Sequence, residues 1–264
     1  MLIEINRILQ IINQGKDTSM AGSSFGTLFK ITTFGESHGK ALGVIVDGCP
    51  AGLSLSEHDI QVFLDRRKPG QTKISTPRKE NDQVEILSGV FEGKTTGTPI
   101  AMMIPNTSQR SSDYGEIAVT YRPGHADFSF DSKFGFRDYR GGGRSSARET
   151  AARVAAGAIA SKILSSMGIH LTAYTRSIGP VSISGDHFDP SAISETSTCM
   201  PDREADARAS AFLAQCMKEH DSAGGVVECV VSGVPAGIGD PVFEKLDAML
   251  SMAVMSIGAV KAVE

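Results

Sequence analysis

Apolar and polar positions follow two different periods along the chain, and this pattern predicts both strands and helices. Between residues 27 and 46, two short apolar runs flank the polar segment 35–39, which predicts a strand, a loop and a second strand. Ser56 and Asp59 have the spacing of a capping box and predict a helix that runs through Leu64. The alanine-rich segment 151–168 has apolar residues at helical spacing and ends at a glycine.

The same patterns continue to the end of the sequence. They predict strands at 84–91, 99–104, 169–178 and 225–231, a helix at 202–220, and a last helix opened by Asp240-Pro241 with Phe243, Leu246, Leu250 and Val254 on one face. Strands and helices in this mixed order indicate an α/β or α+β fold. Nothing between residues 20 and 264 reads as a linker, so we expect one domain over that range.

Composition and charge disfavour several classes of function, but they say less about the fold. The 264 residues are 41% hydrophobic with a formal net charge of -4, which disfavours a general nucleic-acid or membrane-surface binder. No apolar run approaches the roughly 18 residues of a membrane span. The four cysteines form no Cys-x-x-Cys pair, which favours a reducing cytoplasm over a disulfide framework or a zinc site. Residues 1–19 do not resemble a signal peptide, and we expect either an appended helix or translation from Met20.

Positive charge is concentrated in two places. Residues 141–150 combine three glycines with Arg144, Ser145, Ser146 and Arg148 at the predicted start of the long helix, where unpaired N–H groups and the helix dipole suit an anion. The second cluster follows the helix predicted after Ser56 and consists of Arg66, Arg67, Lys68, Lys73, Arg78 and Lys79. Each cluster alone could be a flexible connection or a solvated helix end. Together they favour a site for a polyanionic small molecule.

Two histidines lie in glycine-containing turns. His38 is in Gly35-Glu-Ser-His-Gly39, which also matches the nucleophile-elbow pattern of serine hydrolases through Ser37. The strand predicted after it argues against an elbow, because an elbow requires a helix there. His125 follows a Pro-Gly turn between an arginine and Asp127, and without other context it is an ordinary loop histidine. Neither dinucleotide-binding nor P-loop glycine patterns are present, and no residue set has metal-ligand spacing.

Five segments in order and at matching intervals resemble the chorismate synthase family: Gly35-Glu-Ser-His-Gly39, Asp65-Arg-Arg-Lys-Pro-Gly70, Arg122-Pro-Gly-His-Ala-Asp127, Asp138-Tyr-Arg-Gly-Gly-Gly-Arg-Ser-Ser-Ala-Arg148 and Met255-Ser-Ile-Gly-Ala-Val260. The similarity covers residues 20–264. It implies a large helix-and-sheet sandwich assembled as a homotetramer, which uses reduced FMN to convert 5-enolpyruvylshikimate 3-phosphate into chorismate and phosphate. The reductant would be an external flavin reductase or, as in some of the family, NADPH.

The resemblance also assigns roles to residues. His38 and His125 match the acids that protonate the leaving phosphate or the reduced flavin. The flavin-binding segment of the family corresponds to Arg144, Ser145 and Ser146, together with Gly258 and Ala259. Substrate or NADP phosphate would contact Arg66, Arg67, Lys73 and Arg148, with Lys73 replacing a family arginine and so losing its bidentate fork.

The family continues beyond Glu264 with further flavin contacts, an Arg-His-Asp-Pro motif and an aspartate that acts with the flavin. If the chain ended at Glu264, we would expect a pocket open on one side and weak or absent activity. Two alternatives to an active enzyme of this family stay open at this point. One is an inactive remnant that binds phosphorylated ligand or family subunits, and the other is a serine hydrolase that uses Ser37.

Overall fold

A computed structural model describes residues 22–68, 80–107 and 116–264. Its strands are β1 Ser24–Phe25, β2 Lys30–Gly35, β3 Ala41–Asp47, β4 Glu85–Ile86, β5 Val90–Phe91, β6 Lys94–Thr95, β7 Ile100–Pro105, β8 His170–Ile178, β9 Val181–Ser182 and β10 Gly225–Ser232. Its α-helices are α1 Glu57–Arg67, α2 Asp127–Phe134, α3 Thr150–Ser166, α4 Arg203–Lys218 and α5 Leu246–Met255. Directly before α3, the segment Arg140–Ser145 forms turns that its three glycines interrupt with non-helical backbone, and Ala147–Glu149 forms a short 3-10 turn.

The described residues form two compact units. The first contains residues 22–68, 80–107, 116–160 and 239–264, and the second contains Ser161–Ile238. Every candidate site residue that the structure describes lies in the first unit. The combination of antiparallel sheets with helices confirms the predicted α+β class.

The first unit is built on an antiparallel sheet with strand order β1-β2-β3-β7-β4. Its core face follows from the period of two along β3 and β7. Leu42, Val44 and Val46 are buried, and the register places them opposite the buried residues Ile104, Met102 and Ile100 of β7. Residues 36–40 join β2 to β3 in a polar turn at one end of these strands.

Two helices of the first unit begin as the sequence predicts. Helix α1 has the predicted capping box. The Ser56 backbone N–H donates to Asp59 Oδ2 at 2.8 Å, and the Ser56 hydroxyl donates to the same oxygen at 2.8 Å. Helix α3 buries Ala151, Ala152 and Ala155 on its first turns. Small side chains allow the backbone of α3 to approach its neighbours closely, and this places the start of α3 beside the sheet.

The second unit contains a three-stranded antiparallel sheet with order β10-β8-β9, and helix α4. Asp202 caps α4 by accepting hydrogen bonds from the N–H groups of Glu204 and Ala205, both at 3.0 Å. The core of this unit includes Met200, Ala205 and Ala209.

Two predicted elements are wrong in their extent. The strand predicted at 84–91 is two short strands with different partners, β7 for β4 and β6 for β5, because Gly89 turns the chain at φ +82° between them. The helix predicted from Asp240-Pro241 begins only at Leu246. The Asp240 N–H donates to Glu244 O at 2.9 Å and closes a turn, which leaves Phe243 exposed outside the helix. Helix α2 was not predicted from the sequence.

Candidate active site

Three consecutive glycines shape the loop that precedes helix α3. Gly141, Gly142 and Gly143 have φ values of +61°, +83° and +53°, a conformation that side-chain-bearing residues rarely adopt. A Cβ on Gly141 would lie 2.1 Å from Nδ1 and Cε1 of His38. The loop is therefore a cradle in which the missing side chain leaves room for the His38 ring.

His38 is buried and oriented by its neighbour Ser37. The Ser37 hydroxyl donates to the Gly141 carbonyl at 3.1 Å and lies 3.2 Å from His38 Nδ1. Because a carbonyl can only accept, the hydroxyl proton points at Gly141 and its lone pair faces Nδ1–H. In this arrangement His38 Nδ1–H donates to the Ser37 hydroxyl.

A carboxylate lies near the His38 ring. Arg140 binds Asp138 through its Nε at 2.8 Å and its Nη2 at 3.0 Å. These hydrogen bonds hold the pKa of Asp138 below its usual value, and the charge of His38 adds a smaller contribution in the same direction. Asp138 therefore remains ionised at neutral pH and is held by Arg140.

The loop that carries His125 is closed by an ion pair. Arg122 binds Asp127 through Nε and Nη2, both at 2.9 Å, and this pairing lowers the pKa of Asp127 to about 2. His125 is exposed, and its Nδ1–H donates to Pro123 O at 3.0 Å.

The His125 loop lies next to the glycine loop. A Cβ on Gly142 would be 3.7 Å from Arg122 Nη2, just as a Cβ on Gly141 would meet His38. The structure therefore brings together the three sequence segments that contain His38, His125 and Arg144. The glycine loop is their common neighbour.

Arg144 anchors this loop to the sheet. Its guanidinium donates to Thr33 Oγ1 at 2.7 Å and to the carbonyls of Thr33 and Gly35, both at 3.2 Å. Thr33 in turn donates to Glu149 at 2.9 Å, and Glu149 also accepts from Arg153 at 2.8 Å. In this structure Arg144 fixes the position of the loop.

The two serines after Arg144 differ in their surroundings. Ser145 is exposed, and its hydroxyl donates to Gly142 O at 2.7 Å. Ser146 precedes the 3-10 turn that leads into α3, and its Oγ accepts from the Arg148 N–H at 3.3 Å. The side of the loop that carries Ser145 is thus the side open to a ligand.

Arg67 and Arg148 share one buried carboxylate. Asp82 Oδ2 accepts from Arg67 Nη1 and Asp82 Oδ1 accepts from Arg148 Nη1, both at 2.6 Å, and the Asp82 side chain is fully buried. Arg67 also contacts Thr150 Oγ1 at 3.3 Å. Arg67 is thus not a solvated helix end, because it ties α1 to the start of α3. Sequence analysis missed Asp82, which no local pattern distinguishes from a surface carboxylate.

The remaining candidates are less closely connected. Arg66 is exposed at the end of α1, and Lys73 lies outside the described residues. Gly258 and Ala259 are exposed after α5, but Ser256 in the same segment accepts a hydrogen bond from Arg153 Nη1 at 2.6 Å. This contact brings their segment to the first turn of α3.

The structure also bears on the hydrolase alternative and on other kinds of site. Strand β3 follows Ser37, so the nucleophile-elbow geometry is absent there. Within residues 22–68, 80–107 and 116–264, no cluster of three or more His, Cys, Asp or Glu side chains could hold a metal ion. No helix of that part of the chain is both long and apolar enough to cross a membrane. A cavity of about 380 Å³ lies in the second unit between residues such as Leu213 and Cys216, and it contains none of the candidate residues.

The fold and the site define an α+β protein in which two histidines and several guanidinium groups surround a glycine-rich loop at a helix start. The family model for chorismate synthase matches residues 29–264, and the chain belongs to the chorismate synthase family. It is 66% identical over 245 residues to the chorismate synthase of Agathobacter rectalis and 64% identical to that of Lachnoclostridium phytofermentans. Each alignment covers 93% of the chain and 67% of the relative.

A solved structure agrees with these relatives. The crystal structure of a chorismate synthase is 34% identical and superposes with a TM-score of 0.74, covering 90% of this chain and 68% of that one. The similarity confirms the helix-and-sheet fold that the sequence resemblance implied.

Proposed function

We propose that the protein is a chorismate synthase, a lyase that eliminates phosphate from 5-enolpyruvylshikimate 3-phosphate to form chorismate. Family membership supports the reaction. The observation that carries the assignment of the site is the packing of the His38 ring against Gly141, because it joins two segments that are about a hundred residues apart. None of the comparisons favours the inactive remnant or the hydrolase as an alternative.

The residues present fit a phosphate-bearing flavin at the glycine loop. The loop exposes backbone without side chains, and the Ser145 hydroxyl and the start of α3 lie beside it. When bound, reduced FMN would supply electron density transiently to the substrate with no net redox change. We assign its binding to Arg144, Ser145, Ser146, Gly258 and Ala259, with Arg144 acting by fixing the loop.

His38 and His125 hold the protons that the elimination requires. In both rings Nδ1–H is engaged by an oxygen, so the proton transferred to the leaving phosphate or to the flavin is carried on Nε2. His38 is buried against Gly141, whereas His125 is exposed on a turn. The two rings therefore have different environments, as expected for two acids with separate tasks.

Positively charged side chains would hold the phosphate of the substrate or of NADP. We assign this role to Arg66, Arg67, Lys73 and Arg148. Arg67 and Arg148 are already oriented by Asp82, so a phosphate would meet groups whose positions are set before it binds. Exposed Arg66 adds charge at the end of α1 without such a constraint.

The cellular setting follows the same proposal. All four cysteines lie in the described residues and none is in a disulfide, which supports a cytoplasmic enzyme of aromatic amino-acid biosynthesis. We propose a homotetramer, which light scattering on the purified protein would test. We also propose that FMN is reduced externally or by NADPH, which anaerobic assays with NADPH and oxidised FMN would distinguish.

The proposed activity is tested by mixing the purified protein with substrate and dithionite-reduced FMN under anaerobic conditions and following chorismate absorbance. We expect product with reduced FMN and none with oxidised FMN alone. If protein shown to be folded forms no chorismate above a protein-free control, the proposed function is wrong.

A further inference from the structure

Asn106 is the first residue after strand β7, and it contacts the turn that carries His38. Its side-chain Nδ2 donates to Gly39 O at 2.8 Å and to Glu36 O at 3.0 Å. Its backbone N–H donates to Lys40 O at 3.1 Å. A single residue thus provides three hydrogen bonds to the connection between β2 and β3.

The opposite side of the same amide faces a cation. Asn106 Oδ1 accepts from Arg148 Nε at 2.5 Å. Both amide protons face carbonyls and the amide oxygen faces a guanidinium, so the orientation of the side chain is fixed by its partners. An aspartate at this position would face two carbonyls with no proton to donate.

Arg148 is itself held in place by buried charge. Its Nη1 binds Asp82 at 2.6 Å, and its Nη2 is 3.8 Å from Glu80, while the side chains of both acids are fully buried. Asp82 also binds Arg67 of α1. Asn106 is therefore the link between this ion-pair network and the His38 turn.

We propose that Asn106 is a positioning residue for His38. It acts through Glu36 and Gly39, whose carbonyls it holds on either side of Ser37 and His38, and so keeps the imidazole against Gly141. The proposal rests on the proposed function for its kinetic effect, but the position of the ring is measurable without activity. Asn106 has no contact with the reacting atoms in this role.

Two substitutions test the donors separately from the rest of the side chain. Asn106→Ala removes all side-chain contacts, while Asn106→Asp keeps the size and the contact with Arg148 but loses both donors. Asn81→Ala is the matched control, because Asn81 is exposed. If the alanine variant does not fold, the nearly isosteric aspartate variant supplies the test.

The first readout is the ¹⁵N spectrum of the His38 ring in histidine-labelled protein. We expect the Nδ1 and Nε2 resonances to shift or broaden in both Asn106 variants and to remain unchanged in Asn81→Ala. The second readout is kinetic. A displacement on the order of 1 Å predicts a fall in kcat of roughly 100-fold with little change in KM.

The outcomes separate the two proposals. Unchanged His38 resonances in both Asn106 variants would overturn the positioning role, whatever their activity, and so would a kcat within about twofold of the wild type. If the wild type forms no chorismate, the proposed function fails while the ring resonances still decide the role of Asn106.

Discussion

Replacing Gly141 by alanine should displace His38 from its position. The new Cβ would lie 2.1 Å from the imidazole, whereas ordinary contact begins at 3.4 Å, so the ring or the loop must move by about 1.3 Å. The φ of +61° adds a backbone cost of about 1–2 kcal/mol, which any alanine in this conformation would have. The backbone cost affects stability alone, whereas the displacement affects both stability and the site.

Gly135→Ala separates these two effects. Gly135 ends helix α2 at φ +72°, and a Cβ there would meet nothing within 4 Å. Both variants should lose free energy of unfolding in urea titrations, and Gly141→Ala should lose more because the clash adds to the backbone cost. Only Gly141→Ala should also lose turnover, by roughly 100-fold, because an acid misplaced by about 1 Å no longer reaches its target.

The assay is the rate of chorismate formation at saturating substrate and reduced FMN, measured below the unfolding temperature of both variants. If Gly141→Ala retains turnover within about threefold of Gly135→Ala, then the packing of His38 on the glycine loop does not position an acid.

Three further predictions follow from the same contacts. His38→Ala and His125→Ala should each lower kcat by about 10²–10⁴-fold and change substrate affinity much less, and equal turnover in both variants and the wild type would remove their acid role. Asp82→Asn should lower the free energy of unfolding by about 3–5 kcal/mol in chemical denaturation, because it leaves two guanidinium groups near a neutral amide. Asp65→Asn, at an exposed ion pair, should change it by less than about 1 kcal/mol. Similar losses in the two variants would contradict this account. Because the pKa of Asp127 is lowered to about 2 in the folded protein, its ion pair stabilises the fold above about pH 4 and is lost as the pH falls toward 2. The stability difference between wild type and Asp127→Asn should therefore shrink over that range, and a constant difference would refute the assignment.

The fold was predictable wherever a local pattern determines an element. The capping box of Ser56 and Asp59 and the alternation around Val44 each act over a few residues, and both elements formed as expected. The helix expected at Asp240 failed because Asp-Pro also begins turns, and the hydrogen bond to Glu244 decided between the two outcomes. Helix α2 has only eight residues and Asp127 is the one that it buries, so no apolar stripe indicated it in the sequence.

The site was predictable only in part. The anion-binding character of residues 141–150 follows from local composition, but the contact between Gly141 and His38 joins positions that no local pattern relates. The resemblance of five ordered motifs led us to expect both segments in one pocket, but it did not indicate this contact. Neither approach indicated Asp82 or Asn106, because their roles come from partners that are distant in sequence.

The measurement that tests the central claim most directly is the stoichiometry of the reaction. The purified protein is incubated anaerobically with 5-enolpyruvylshikimate 3-phosphate and dithionite-reduced FMN, and chorismate and inorganic phosphate are quantified in the same samples. We predict that both form in equal amounts and that the flavin is still reduced at the end. Phosphate release without chorismate, or neither product from folded protein, would contradict the proposed function.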